Sequence, residues 1–242
     1  MRQNGDFMEA FFNEYLAYGL IGRFGYELGT VPFFLMAVAC IIVPYLVGSI
    51  NFAIIFSKLF HNGDVREHGS GNAGSTNMLR TYGVKTAALT FVCDLMKGVV
   101  SALIGLFMMP YYTGFVYISG LACLIGHAFP VYYGFKGGKC VASLAGVMLI
   151  CNPPVFVLLF LVFVFTVLLS HYISLGSVLC ALAFPLANSF MPFYVSPAPP
   201  VGIIVSLLMA ILVITLHRKN IVRLWEGTES KVSFRSKKSE KN

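Results

Sequence analysis

Charge is what this chain has least of. Only 11% of its 242 residues are Asp, Glu, Lys or Arg, against about 25% in soluble domains, while 57% are hydrophobic and the mean hydropathy is +0.79. One soluble core cannot hide that much apolar surface, so an integral membrane protein is expected. The alternating segments of about ten residues that build an outer-membrane barrel are missing too. Apolar residues run instead in stretches near the roughly 20 needed for a helical span. The three aspartates are scattered (Asp6, Asp64, Asp94), no His is followed by Asp five residues on, and neither G-x-S-x-G nor H-E-x-x-H occurs. Acyl transfer of the H-x-x-x-x-D type, serine-nucleophile chemistry and zinc-peptidase chemistry therefore have little support, and no metal and no cofactor are expected. The six cysteines (Cys40, Cys93, Cys123, Cys140, Cys151, Cys180) lie in or beside apolar segments without C-x-x-C spacing and read as small core residues.

What is present falls into seven apolar stretches, residues 31–60, 84–109, 112–129, 141–151, 155–170, 173–190 and 200–216. The first is expected to break at Pro44 and carries Asn51; the fourth, eleven residues long, is short for a crossing. The expected fold is all-α, a polytopic membrane protein of about seven transmembrane helices with three polar cytoplasmic connectors that bear the motifs. Those connectors are basic: "SKLFHNGDVREHGSGNAGSTNMLRTYGVK", "FKGGK" and the tail from Arg218. The intervening "PYYTG" and "MPFYVSPAPP" hold no charge. By the positive-inside rule the basic set is cytoplasmic, the N-terminus is outside and the C-terminus is cytoplasmic. The same rule explains the net charge of +7 without nucleic acid as a partner. Residues 1–30 interleave Glu with aromatics, lack a signal-peptide core and are expected to form an interfacial extension. Residues 31–217 would form the membrane domain and 218–242 a basic tail carrying the last motif.

The chemistry sits in the connectors. In "HGSGNAGSTN", Gly69, Gly71 and Gly74 can bare successive backbone N–H groups, while Ser70, Asn72, Ser75, Thr76 and Asn77 add side-chain donors. A helix expected to start near Ser75 would point its N-terminus into this loop, and Arg80 completes a cradle for phosphate. The bland reading is a flexible glycine linker. In "FKGGKCVAS", Gly137 and Gly138 let a ligand approach the backbone and Lys139 puts a compact charge near a helix start, followed by the small Val141, Ala142 and Ser143. Lys136 reads as a lysine reaching to water. In "HRKNIVRLWEGTE", His217 and Asn220 share a helix face, and Glu229 closes the run. Asp94 and Lys97, three apart inside an apolar span, are expected to pair and to support the site, because an isolated charge there costs several kcal/mol.

"GSGNAGSTNMLRTYG", "DLMKG", "GHAFPVYYGFKGGKCVAS" and "HRKNIVRLWEGTE" together resemble, in order and spacing, the signature stretches of the bacterial acyl-phosphate:glycerol-3-phosphate acyltransferases, over about residues 33–230. The resemblance implies a seven-helix enzyme of the bacterial inner membrane that moves a fatty acyl group from acyl phosphate to the 1-hydroxyl of glycerol 3-phosphate. Lysophosphatidic acid and phosphate are the implied products, at the first membrane step of phospholipid synthesis. Membrane lipid and the soluble enzyme that makes acyl phosphate are the implied partners. By the same resemblance Ser70, Arg80, Lys139, His217 and Asn220 are the catalytic set, with Asn72, Thr76 and Asn77 in the same phosphate pocket, and a substrate phosphate takes the proton. His217 is the alternative base. Cys140 stands where the family usually has glycine, Ser75 replaces an alanine, and residues 1–30 are unmatched.

A membrane transporter of a small phosphorylated solute is the competing class. It would place polar groups through the depth of the bundle and on both sides, whereas here the external connectors are uncharged and the polar groups gather at one end.

Overall fold

The computed structural model describes residues 30–109, 112–191 and 200–232; their regular structure is all helical, with no strand among them. The expected interfacial segment 1–30 lies outside the described residues except for Thr30, as does most of "MPFYVSPAPP".

The first span is two helices, α1 (Thr30–Ser49) and α2 (Phe52–His61). Pro44 does not break it: α1 runs straight through that residue, since a membrane helix tolerates one missing hydrogen bond when its neighbours re-satisfy the backbone. The break comes instead at Asn51, whose extended backbone (φ −100°, ψ 101°) ends the first run and whose Oδ1 accepts from the Ile54 N–H at 3.1 Å to cap the second. The break frees the carbonyls of Gly48 and Ile50, and both accept from the Lys97 ammonium, at 3.0 and 2.8 Å.

After the first connector come α3 (Ser75–Tyr82) and the long α4 (Val84–Met108), then α5 (Gly114–Ala128). The second connector leads to α6 (Val141–Cys151), and Asn152 separates it from α7 (Pro153–Ser170), accepting from the Val155 N–H at 3.3 Å with Pro153 in the first turn. α8 (Ile173–Phe190), α9 (Pro200–Leu216) and α10 (Arg218–Trp225) follow, the last bent 59° away from α9. Five helical runs among the described residues are long and apolar enough to cross a membrane, or six when the bent α9–α10 pair counts as one. α6 is the seventh apolar stretch. Its eleven residues rise only about 16 Å against a hydrocarbon core of roughly 30 Å, and seven of them are buried inside the bundle.

α5 is the most enclosed of these runs and packs against α1, α4, α6 and α9. Small residues allow this, because lipid offers no hydrophobic push and helices associate through close packing. A Cβ at Gly126 would meet the Tyr45 carbonyl oxygen at 2.2 Å, and one at Gly146 would meet that of Leu95 at 2.0 Å, so backbones touch at the α1–α5 and α4–α6 crossings. The apolar core, with Leu124, Val147, Phe184 and Met209 fully enclosed, fills the space among α5, α6, α8 and α9. Phe160, Phe165 and Leu169 of α7 face outward, as lipid-contacting side chains do. All six cysteines are free and five are buried, in keeping with core roles.

Candidate active site

The three basic connectors meet at one end of the bundle around a cavity of about 230 Å³. That volume suits a small polar group.

The first connector is shaped before it can bind anything. Asp64 accepts from the Arg66 backbone N–H at 3.0 Å and pairs with the Arg66 guanidinium at 2.8 Å, which holds its carboxyl below the ordinary range. The same guanidinium donates to the carbonyls of Tyr133 (2.9 Å) and Lys136 (3.2 Å), so Arg66 ties the first connector to the second. Asn77 is the inner scaffold of the loop. Its amide donates to the carbonyls of Val65 and His68 at 3.0 and 2.9 Å, and its Oδ1 accepts from the Ser70 N–H at 2.8 Å. Expected as a phosphate donor, it borders the cavity but spends both amide hydrogens on the loop. Gly69 is needed for that scaffold: it sits at φ +58°, and a Cβ there would meet Asn77 Oδ1 at 2.4 Å.

What the loop presents to the cavity is Ser70, Asn72, Ser75, Thr76 and Arg80. α3 begins at Ser75 as expected, with no side-chain cap from Gly74; the Asn77 N–H donates to the Gly74 carbonyl at 3.0 Å, which leaves the Ser75 and Thr76 N–H groups, on residues that line the cavity, uncapped. Arg80 has no ion-pair partner among the described residues. A cation left unpaired at a cavity of this kind is a site for an anion.

The opposite wall is a relay of hydrogen bonds. Lys139 Nζ donates to Asn220 Oδ1, and Asn220 Nδ2 donates to Glu229 Oε1 at 2.8 Å. Glu229 also accepts from Ser174 Oγ at 3.0 Å and from Arg223 Nε at 2.7 Å. Burial raises the Glu229 carboxyl, but the bonds from Arg223, Asn220 and Ser174 outweigh it and leave the group below its ordinary range. Burial lowers Lys139 from 10.5 to about 8; Glu229 pulls it back up, and Arg223 and Arg80 push it down further. His217 caps α10 just after the span ends at Leu216, and its Nδ1 lies 2.8 Å from the Val213 carbonyl. A carbonyl only accepts, so Nδ1 carries a proton there and Nε2 is the free edge of the ring. Burial, opposed by that backbone bond, lowers His217 to about 4, which leaves the ring neutral near pH 7.

Of the sites expected from sequence, Ser70, Asn72, Thr76, Arg80, Lys139, His217 and Asn220 come together on the cavity, with Asp94 at its inner end. Gly69, Gly71, Gly137, Gly138, Ser143 and Lys97 do not line it. Ser143 is fully buried, and its carbonyl would lie 2.2 Å from a Cβ at Gly98, which places it in the α4–α6 crossing. Lys97 pairs with Asp94 at 2.9 Å, as expected, and is enclosed by the α1–α2 break. Cys140, at the glycine position, adopts φ +67° and turns its Sγ to the Leu124 carbonyl at 3.1 Å, into the core and away from Lys139. Sequence reasoning passed over His127, Ser174 and Ser177, which border the cavity, and read Glu229 only as the end of a run. A histidine closing an apolar span was the one signal for His127.

The family model described as glycerol-3-phosphate acyltransferase matches residues 38–227. The chain is 43% identical over 196 residues to the glycerol-3-phosphate acyltransferase of Thermoanaerobacter sp. (strain X514), covering 81% of this chain and 96% of that one. It is 38% identical over 197 residues to glycerol-3-phosphate acyltransferase 2 of Bacillus anthracis, covering 81% and 100%. In three dimensions it is similar to the crystal structure of PlsY (YgiH), an integral membrane glycerol 3-phosphate acyltransferase, in its glycerol 3-phosphate form, with a TM-score of 0.74 and 35% identity over 81% of this chain and 96% of that one. The lysophosphatidic acid form of the same protein gives a TM-score of 0.71 at 34% identity, over 81% and 95%.

Proposed function

Because this chain belongs to the glycerol-3-phosphate acyltransferase family, a family of membrane acyltransferases, we propose that its acyl donor is acyl phosphate and its acceptor the 1-hydroxyl of sn-glycerol 3-phosphate. Lysophosphatidic acid and inorganic phosphate are then the products. The observation that carries this reading is the meeting of Arg80, Lys139 and two uncapped loop-to-helix turns on one small cavity, the arrangement a phosphorylated substrate requires.

The glycerol hydroxyl oxygen bonds to the acyl carbonyl carbon, the bond from that carbon to the phosphate oxygen breaks with its electron pair, and the hydroxyl proton leaves with the departing phosphate. A mixed anhydride carries its own good leaving group, so alignment and charge neutralisation supply most of the catalysis. Arg80 and Lys139 hold phosphate, and Ser70, Asn72 and Thr76 orient it. His217, neutral near pH 7, offers Nε2 as an acceptor to a glycerol hydroxyl and acts in substrate binding. The cavity faces the cytoplasm of a bacterial inner membrane, with the N-terminus outside, residues 31–217 forming the catalytic domain and 218–242 the basic tail. α6 completes a set of seven crossings at a thinned part of the bilayer.

Purified protein given acyl phosphate and glycerol 3-phosphate should release lysophosphatidic acid and phosphate, measured by mass spectrometry. Lys139→Ala and Arg80→Ala should abolish release. Folded wild-type protein that turns over an acyl thioester but not acyl phosphate would refute the donor; uptake of glycerol 3-phosphate into proteoliposomes without turnover would favour a transporter.

A further inference from the structure

We propose that His127 supplies an uncharged Nε2–H donor to the carbonyl oxygen of the acyl donor, with Lys97 as the residue that sets its tautomer. This rests on the acyl-transfer reading above. His127 lies in the last turn of α5 and is 3% exposed, yet it borders the cavity.

Its Nδ1 lies 2.7 Å from Lys97 Nζ. The ammonium has three hydrogens and faces two carbonyls, of Gly48 and Ile50, and the Asp94 carboxylate at 2.9 Å, all of which only accept. Asp94 Oδ1 pairs with the ammonium by charge but takes no hydrogen bond, so the three hydrogens go to Gly48, Ile50 and His127 Nδ1; an ammonium has no lone pair, and Nδ1 must be the acceptor. The ring is then the Nε2–H tautomer, and that N–H has no acceptor among the described residues. An N–H on a residue that borders the cavity and has no protein acceptor is open to a ligand's oxygen. Gly138 makes room for that edge of the ring: a Cβ there would stand 2.2 Å from His127 Nε2.

The surroundings choose among the donor's oxygens. Phe91, Val141 and Ala142 line the cavity on this side, and Asp94 Oδ1 is 3.7 Å from Nδ1. Lys97 and Asp94 neutralise one another beside the ring, so His127 offers a phosphate dianion no net positive charge, whereas a carbonyl oxygen is neutral at rest, accepts from an uncharged N–H, and gains charge only as the tetrahedral intermediate forms. The first-turn N–H groups of Val141 and Ala142 have no cap and open on the same wall, adding backbone donors to the same oxygen. Donors placed for charge that develops in the transition state act on kcat and leave ground-state binding alone.

The test separates the two halves of the histidine. His127→Asn keeps an acceptor for Lys97 but has no donor at the Nε2 position; His127→Gln keeps a donor near Nε2 and loses the Lys97 contact. With acyl phosphate and glycerol 3-phosphate, His127→Asn should lose about 100-fold in kcat with both KM values and the melting temperature held, while His127→Gln should retain more activity despite a lower melting temperature. Wild-type kcat in His127→Asn would overturn the proposal. So would a loss confined to the KM of acyl phosphate, which would assign the bond to phosphate, or losses in both variants that follow melting temperature alone. In wild-type protein labelled with 15N-histidine, binding of an unreactive acyl phosphonate should shift the Nε2 signal that His127→Asn removes; a bound phosphonate with no shift would also overturn it. Failure of the acyl-phosphate reading itself would show separately, as absent turnover by the wild type.

Discussion

Raising the pH above 8 should weaken the grip on glycerol 3-phosphate while making the empty protein more stable. The perturbed group is Lys139, half-buried near Arg80 and Arg223 and lowered to about 8. At pH 7 about ten empty sites carry the cation for each that does not, and at pH 9 the ratio is inverted. Glycerol 3-phosphate is a dianion throughout, its second ionisation lying near pH ~6. Binding that needs the charged lysine should therefore show a KM for glycerol 3-phosphate that is nearly flat below pH 7.5 and rises about eightfold between pH 8.5 and 9.5. Saturating kcat should change little, because the bound dianion restores the proton. For stability the sign is opposite. Below pH 8 folded and unfolded chains are both protonated at Lys139, and the cost of burying the cation is present in full. Between 8 and about 10.4 the unfolded chain binds more protons than the folded one, so stability rises with pH. Initial rates of lysophosphatidic acid release at fixed ionic strength, and melting curves of ligand-free wild type against Lys139→Met, measure the two arms. A KM that stays flat to pH 9.5, or a break that survives in a still active Lys139→Arg variant, whose guanidinium does not titrate in this range, would refute the reasoning.

Three further outcomes are expected. Glu229→Ala removes the acceptor of three hydrogen bonds and should lower the melting temperature by roughly 5 °C and release Asn220 from Lys139. Since the Glu229 carboxyl is held below its ordinary range, the wild type keeps this stabilisation above about pH 4.3 and loses it as pH falls further, which acid melts of the two proteins will show. Cys140→Gly should fold and keep full activity, because the left-handed backbone at φ +67° costs a side-chain-bearing residue about 1–2 kcal/mol; Cys140→Val should fail to accumulate as folded protein, read by size-exclusion profile. Trp225, 93% exposed on α10 and the only tryptophan in the chain, should lie in the lipid interface, where its fluorescence is quenched by brominated lipid and not by aqueous iodide.

Much of the site could be read from residue types. Arg80 and Lys139, the only lysine or arginine residues on the cavity among the described residues, were singled out because a charge-poor chain places few cations and these follow glycine-rich stretches. Asn77 was misjudged in role: an amide looks the same in a sequence whether its hydrogens face a ligand or the carbonyls of Val65 and His68. Pro44 was misjudged for a related reason. Proline marks a missing donor, but the actual break at Asn51 depends on Lys97 reaching from another helix to take the freed carbonyls.

Hydropathy, charge placement and glycine-rich connectors determined by themselves that this chain is a helical membrane protein with three basic connectors, because burial in lipid and backbone hydrogen bonding act locally along each segment. Only the tertiary structure decided which donors remain free. That depends on distances between side chains far apart in sequence: Lys139 to Asn220 across 81 positions, and Lys97 to His127 across 30. A polar group's chemistry belongs to its residue type, but whether it is available belongs to its partners, and those are chosen by packing.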